Sequence, residues 1–90
     1  MEILIKKNDN NTYAVFIENS VKSNHIVTLN DDIYFEMTEG IKSKEELILF
    51  SFKFLLKREN NTLILSNFNL ETIQNYFPEY KNEIQNWINL

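Results

Sequence analysis

The segment from Ser43 to Glu59 (SKEELILFSFKFLLKRE) is the densest apolar stretch of the chain. It constrains the fold more than any other. Ser43 is a good helix N-cap, and Glu46 three positions on completes a capping box. Glu45 and Glu46 fall in the first turn, and Lys57 and Arg58 in the last, as the helix dipole favours. At helical spacing Glu46, Lys53 and Lys57 gather on one narrow face. Leu47, Ile48, Phe52, Phe54, Leu55 and Leu56 spread over most of the rest. Such a helix must be wrapped on two or three sides. A strand is the competing reading, because Phe50 to Phe54 alternates apolar and polar. Caps and charges agreeing at both ends of a long run favour the helix. Ser51 then lies inside the apolar arc, where a small residue lets a neighbour approach closely.

The elements around this helix follow in order. Glu2 to Lys7 reads as a strand, and Asn8 to Asn11 as a turn of residues that form local hydrogen bonds. Thr12 to Glu18 reads as a second strand, with Tyr13, Val15 and Ile17 on one face; together they make a hairpin. His25 to Leu29 is a third short strand. Asn30 caps a short helix over Asp31 to Glu39, and Gly40, the only glycine, stands where a left-handed C-cap is wanted. Asn60 and Asn61 break the pattern, and Thr62 to Ser66 (TLILS) is either a strand or one or two turns of helix capped by Asn60 or Asn61. Asn69 caps a helix from Leu70 to Phe77, and Pro78 suits the first position of the next. There Tyr80, Ile84, Trp87 and Ile88 share a stripe. The expected fold is therefore α+β in one domain, 1–90. Residues 1–29 are mainly strands, a small antiparallel sheet of two or three, packed on three to five helices from 30–90.

Composition narrows the function. Hydrophobic residues make up 43% and aromatics 13%, enough for a core and against disorder. The net charge of −4 argues against nucleic acid unless cations cluster, and only Lys53, Lys57 and Arg58, with Lys42 and Lys44 at the other helix end, come close. With no cysteine there is no disulfide or thiolate metal site, which fits a cytoplasmic protein. MEILIKK is too short an apolar run for a leader, and nothing approaches the roughly 18 apolar residues of a membrane span.

Certain motifs look familiar. Leu47–Glu59, then Ile64-Leu65-Ser66 before Phe68, then Leu70, Ile73 and Tyr76-Phe77-Pro78-Glu79-Tyr80, resemble a family of small prokaryotic proteins of unknown function. Its members carry FxFLLxRE followed by ILxxF[DN]LxxIxxYFPEY. The likeness spans roughly residues 26 to 84 and implies a helical C-terminal half, which favours the helix for TLILS, with no active site to transfer. Family members often have Pro where this chain has Asn60. A weaker likeness is to ribbon-helix-helix DNA-binding proteins, in which a strand (here His25–Leu29) precedes two helices and pairs with its copy in a dimer. Outward positions Asn24, Ile26 and Thr28 are poor base readers, and the domain is acidic.

No chemistry stands out. His25, the only histidine, has only Glu18, Asp31 or Asp32 near it in sequence and reads as an ordinary strand-end residue. Asp31 and Asp32 read as helix-start acids before a metal pair. Ser20, Ser23, Ser43, Ser51 and Ser66 lack a glycine elbow. A small hydrolase would need an acid-lined pocket at His25. The expectation is no enzyme, no catalytic residue, no metal and no cofactor. The chain reads as a non-enzymatic interaction or regulatory module, with a protein partner or itself in a homodimer. The alternative is a ribbon-helix-helix-like transcriptional regulator or antitoxin. Candidate partner-surface residues are Leu49, Phe50, Lys53, Lys57, Tyr76, Tyr80 and Trp87. Tyr76 to Tyr80 reads as a partner-gripping knuckle or, more plainly, a helix–helix corner. Arg58 and Glu59 read as a pair or as solvated charges.

Overall fold

In the computed structural model, which describes residues 1–90, the chain opens with a hairpin. Strands β1 (Glu2–Lys7) and β2 (Thr12–Glu18) pair antiparallel. Their turn is held by Asp9, whose carboxylate accepts from the amides of Asn11 (2.8 Å) and Thr12 (2.9 Å). Those donors, Asn11 first, hold its carboxyl below the usual range. Strand β3 (Lys22–Thr28) pairs antiparallel with β2. It starts three residues before the expected His25, because polar Lys22, Ser23 and Asn24 still complete the β2 ladder. Side chains alternate, so Ile3, Ile5, Tyr13, Val15, Ile17, His25 and Val27 share the face that meets the helices.

Helix α1 (Asp31–Thr38) starts at Asn30, which has the extended N-cap backbone but makes no side-chain cap bond. The left-handed turn at its end is shared: Glu39 (φ 55°) adopts it as well as Gly40 (φ 76°). The Thr38 hydroxyl donates to the Tyr34 carbonyl and accepts from the Gly40 amide, which ties off the turn.

Helix α2 (Lys44–Leu56) carries the expected capping box. Ser43 Oγ accepts from the Glu46 amide, and the Glu46 carboxylate accepts from the Ser43 amide at 2.9 Å. Leu47, Ile48, Ser51, Phe52, Phe54 and Leu55 are buried, so the helix is covered on most sides. Lys44 is a fastener: Nζ donates to the carbonyls of Asn10 (2.8 Å) and Leu29 (3.0 Å) and pairs with Asp31 at 2.7 Å. The hairpin turn, the end of β3, and the starts of α1 and α2 thus meet at one ammonium.

The next stretch departs from expectation. Only Asn61–Leu63 forms a 3-10 turn, opened by Asn60, whose side chain accepts from the Thr62 amide. The chain then runs extended into β4 (Asn67–Asn69), parallel to β3. Of the helix preferred for TLILS only this one turn, capped by Asn60, forms, and the sheet has four strands in the order β1-β2-β3-β4, not two or three. A buried polar chain explains why. His25 Nδ1 meets the Leu65 carbonyl at 2.8 Å, and Nε2 meets Ser23 Oγ at 2.9 Å. A carbonyl only accepts, so Nδ1 carries the hydrogen. Asn61 Nδ2 donates to Ser23 Oγ and to the Val21 carbonyl. These bonds pull 61–66 against β3, where the Ile26 amide finds the Ser66 carbonyl. His25 is thus a buried, mid-strand anchor.

The helix expected over Leu70–Phe77 splits into a 3-10 turn (Leu70–Thr72) and α3 (Ile73–Tyr76), and Asn69 does not cap it by side chain. Pro78 lies in the corner two residues before α4 (Tyr80–Ile88), not at its first position. No helix is long and apolar enough to cross a membrane.

Candidate interaction surface

The sequence candidates do not converge on one place. Lys53 and Lys57 stand exposed on the wet strip of α2. Leu49 is half-buried. Phe50 and Trp87 satisfy each other by stacking, with centroids 4.4 Å apart and planes at 13°, and Lys42 Nζ lies 5.2 Å over the indole. Tyr80 cannot belong to a surface, being 1% exposed with its hydroxyl bonded to Ser51 inside the core. Of the seven, only Tyr76 points into an apolar depression.

The Tyr76–Tyr80 motif is mainly a corner. Phe77 meets Phe54 edge to face, and Tyr80 packs on the same ring. Over the Phe54 ring, 3.5 Å from its centroid, lies the Arg58 guanidinium. Arg58 does not pair with its neighbour Glu59. It reaches α4 instead, donating to Glu83 (2.7 Å) and Glu79 (3.2 Å), and it also donates to the Phe54 carbonyl. The Glu79 carboxyl is held below its usual range by its own amide first and by Arg58 next. Glu59 has no ion-pair partner in the chain.

The depression opens where the corner meets the 61–66 segment. Leu55 of α2 and Glu59 just beyond its end form one side, and Ile73, Tyr76 and Phe77 the other. Leu63, Ile64, Leu65 and Phe68 complete it, and its volume is about 160 Å³. The lip is set where the 3-10 turn ending at Leu63 gives way to extended backbone at Ile64. Ile64 is only 7% exposed, while Leu63 (69%) and Leu65 (52%) stand out in water. No signal in TLILS alone shows that Leu63 and Leu65 stay exposed while Ile64 is buried, because the turn ends between them and residues distant in sequence hold the segment.

The strand that the ribbon-helix-helix likeness would lend to a dimer is interior here. β3 has β2 along one side, and on the other β4 pairs with its last three residues, Ile26–Thr28, while the Ile26 amide takes the Ser66 carbonyl. The cations counted towards a basic patch are also engaged in part: Lys44 and Arg58 in ion pairs, Lys42 on Trp87. No three His, Asp or Glu side chains gather as a metal site requires.

No protein-family model, curated protein or solved structure matches this chain. The likeness to the small prokaryotic family rests on its motifs alone.

Proposed function

We propose that the protein is a non-enzymatic, cytoplasmic protein-interaction module. Its groove takes one large apolar side chain of a partner polypeptide, with Lys or Arg beside that residue to meet Glu59. The observation that carries this reading is an apolar groove with two exposed leucines on its lip and an unpaired carboxylate at its rim. Size argues for a side chain rather than a cofactor. Small-molecule pockets span roughly 300–1,000 Å³, whereas about 160 Å³ is near the volume of a cavity that accepts benzene. The fully reduced composition, with no cysteine, is in keeping with the cytoplasm.

Selection from a random peptide display library, followed by titration of the winners by fluorescence anisotropy, tests it. Winners should share a large apolar residue with an adjacent Lys or Arg. Leu65→Glu should abolish their binding, and Glu59→Lys should reverse the preference towards acidic neighbours. Winners indifferent to both substitutions overturn the reading. Circular dichroism on each variant confirms that it folds.

A further inference from the structure

Strand β1 is a free edge of the sheet, and its sequence is complementary to itself. We infer that two copies of this chain join β1 to β1 antiparallel about a two-fold axis, making one continuous eight-stranded sheet. Edge strands expose unpaired backbone groups and are usually blunted by charges, bulges or cover. β1 is six residues long with a Leu at its middle, and its charges are sorted to its ends (EILIKK).

The direction of the backbone groups can be read from the ladder. The Leu29 amide bonds the Asn11 carbonyl, so Tyr13, Val15 and Ile17 bond towards β3. The Asn8 amide bonds the Thr12 carbonyl, so Lys6, Leu4 and Glu2 bond towards β2. Ile3 and Ile5 therefore turn their N–H and C=O groups outward. Centring the two-fold axis on Leu4 sets Ile3 opposite Ile5 of the second copy, where each exchanges both bonds. That gives about four main-chain hydrogen bonds with no change of strand conformation.

The same register pairs the side chains. On the outer face Leu4, 57% exposed, meets its own copy, and exposed Phe16 lies next to it on β2. The row beside it is electrostatic. Within one protomer Glu2 stands opposite Glu18, and Glu18 opposite Lys22. The second copy brings its Lys6 to Glu2, so two adjacent acids become flanked by a cation on each side. Opposite charges across strands stabilise and like charges destabilise. The groove is lined from β4, at the opposite sheet edge, so the pairing leaves it free, and either reading can fail without the other.

A charge-swap cycle followed by sedimentation equilibrium tests the register. The natural chain should show a monomer–dimer equilibrium. Glu2→Lys should weaken it by about tenfold or more, since two attractive pairs become repulsive, and Lys6→Glu should do the same. The double variant should restore it. Glu2→Lys also removes the like-charge contact with Glu18, so a lost dimer is not an unfolded monomer. Ile3→Pro, which deletes an outward N–H and spares the β2 ladder, should abolish the dimer. A monomer at all concentrations, or a dimer indifferent to the swap and to Ile3→Pro, overturns the inference. A dimer lost only in Leu65→Glu would assign self-association to the groove and overturn it too.

Discussion

Ser51 and Tyr80 share a hydrogen bond inside the apolar core, between the middle of α2 and the first residue of α4. Ser51 donates its one proton to the Leu47 carbonyl one turn back at 2.7 Å, so the Tyr80 hydroxyl donates to Ser51 Oγ. The small residue lets α4 approach, and its hydroxyl gives a buried phenol its only partner. Ser51→Ala leaves that phenol unpaired and should cost about 1–3 kcal/mol. Tyr80→Phe removes the need as well as the bond, and the Ser51 hydroxyl keeps Leu47, so it should cost less, roughly 1 kcal/mol. Adding Ser51→Ala to Tyr80→Phe should then cost little more. Urea denaturation of the cycle measures this.

Two buried tyrosines predict the alkaline limb of stability. Burial, followed by the charge of Glu45, pushes the Tyr13 hydroxyl up to about 12. Burial also raises that of Tyr80, against the opposing bond from Ser51. Unfolded tyrosines ionise near 10, so above that pH the unfolded chain holds fewer protons than the folded one. Stability should be insensitive to these groups below about pH 9 and fall as pH rises through 10 towards 12. Tyr13→Phe and Tyr80→Phe should each flatten the fall, read from melting temperature against pH.

Arg58 should matter for shape more than for charge. It covers the Phe54 ring, fastens the end of α2 to α4 by bonds to Glu79 and Glu83, and donates to the Phe54 carbonyl one turn back. Lysine cannot present that planar fork. Arg58→Lys should cost about 1–2 kcal/mol, while Glu79→Gln, at an exposed partner, should change stability much less. Thermal melts of the two variants at low and high salt distinguish them; only the small electrostatic part should respond to salt.

Asn61 is 1% exposed, and both its bonds are donated. Asn61→Asp sets a carboxylate against the Val21 carbonyl. It should cost about 3–5 kcal/mol near neutral pH. Burial raises such a carboxyl's pKa, so the loss should shrink as pH falls and the acid becomes neutral. A variant equally unstable at pH 4 and pH 7 would contradict this account.

What the sequence made legible was local. The capping box of α2 and the hairpin turn at Asp9 are decided by residues within four positions of each other. So are the face shared by Tyr13, Val15 and Ile17, and the stripe of α4. What it hid was non-local. Asn67-Phe68-Asn69 has little strand propensity and becomes β4 only because β3 lies beside it. Asn61 looked like a break and is a buried anchor, since its partners Val21 and Ser23 are far off in sequence. Arg58 stood next to Glu59 yet serves Glu79 and Glu83, which the corner at Pro78 swings over Phe54. The groove is a product of these distant meetings. Its lining comes from α2, the 61–66 segment and the corner together, and no single window of sequence contains it.

The lone parallel pairing has a kinetic consequence. β1, β2 and β3 can zip by successive hairpins, but His25 and Leu65 are 40 positions apart. Closing a loop of that length costs roughly 3 kcal/mol of chain entropy, so β4 belongs to the late steps of folding. The same latch can reopen locally, since its strand is only three residues long. Each reopening would erase the groove while leaving the hairpins intact, so an occupant of the groove also acts as a clasp on the latch. Amide exchange at Ser66–Asn69 should run ahead of global unfolding and slow when the groove is filled. The rhythm of that one short strand would then set how long any partner stays.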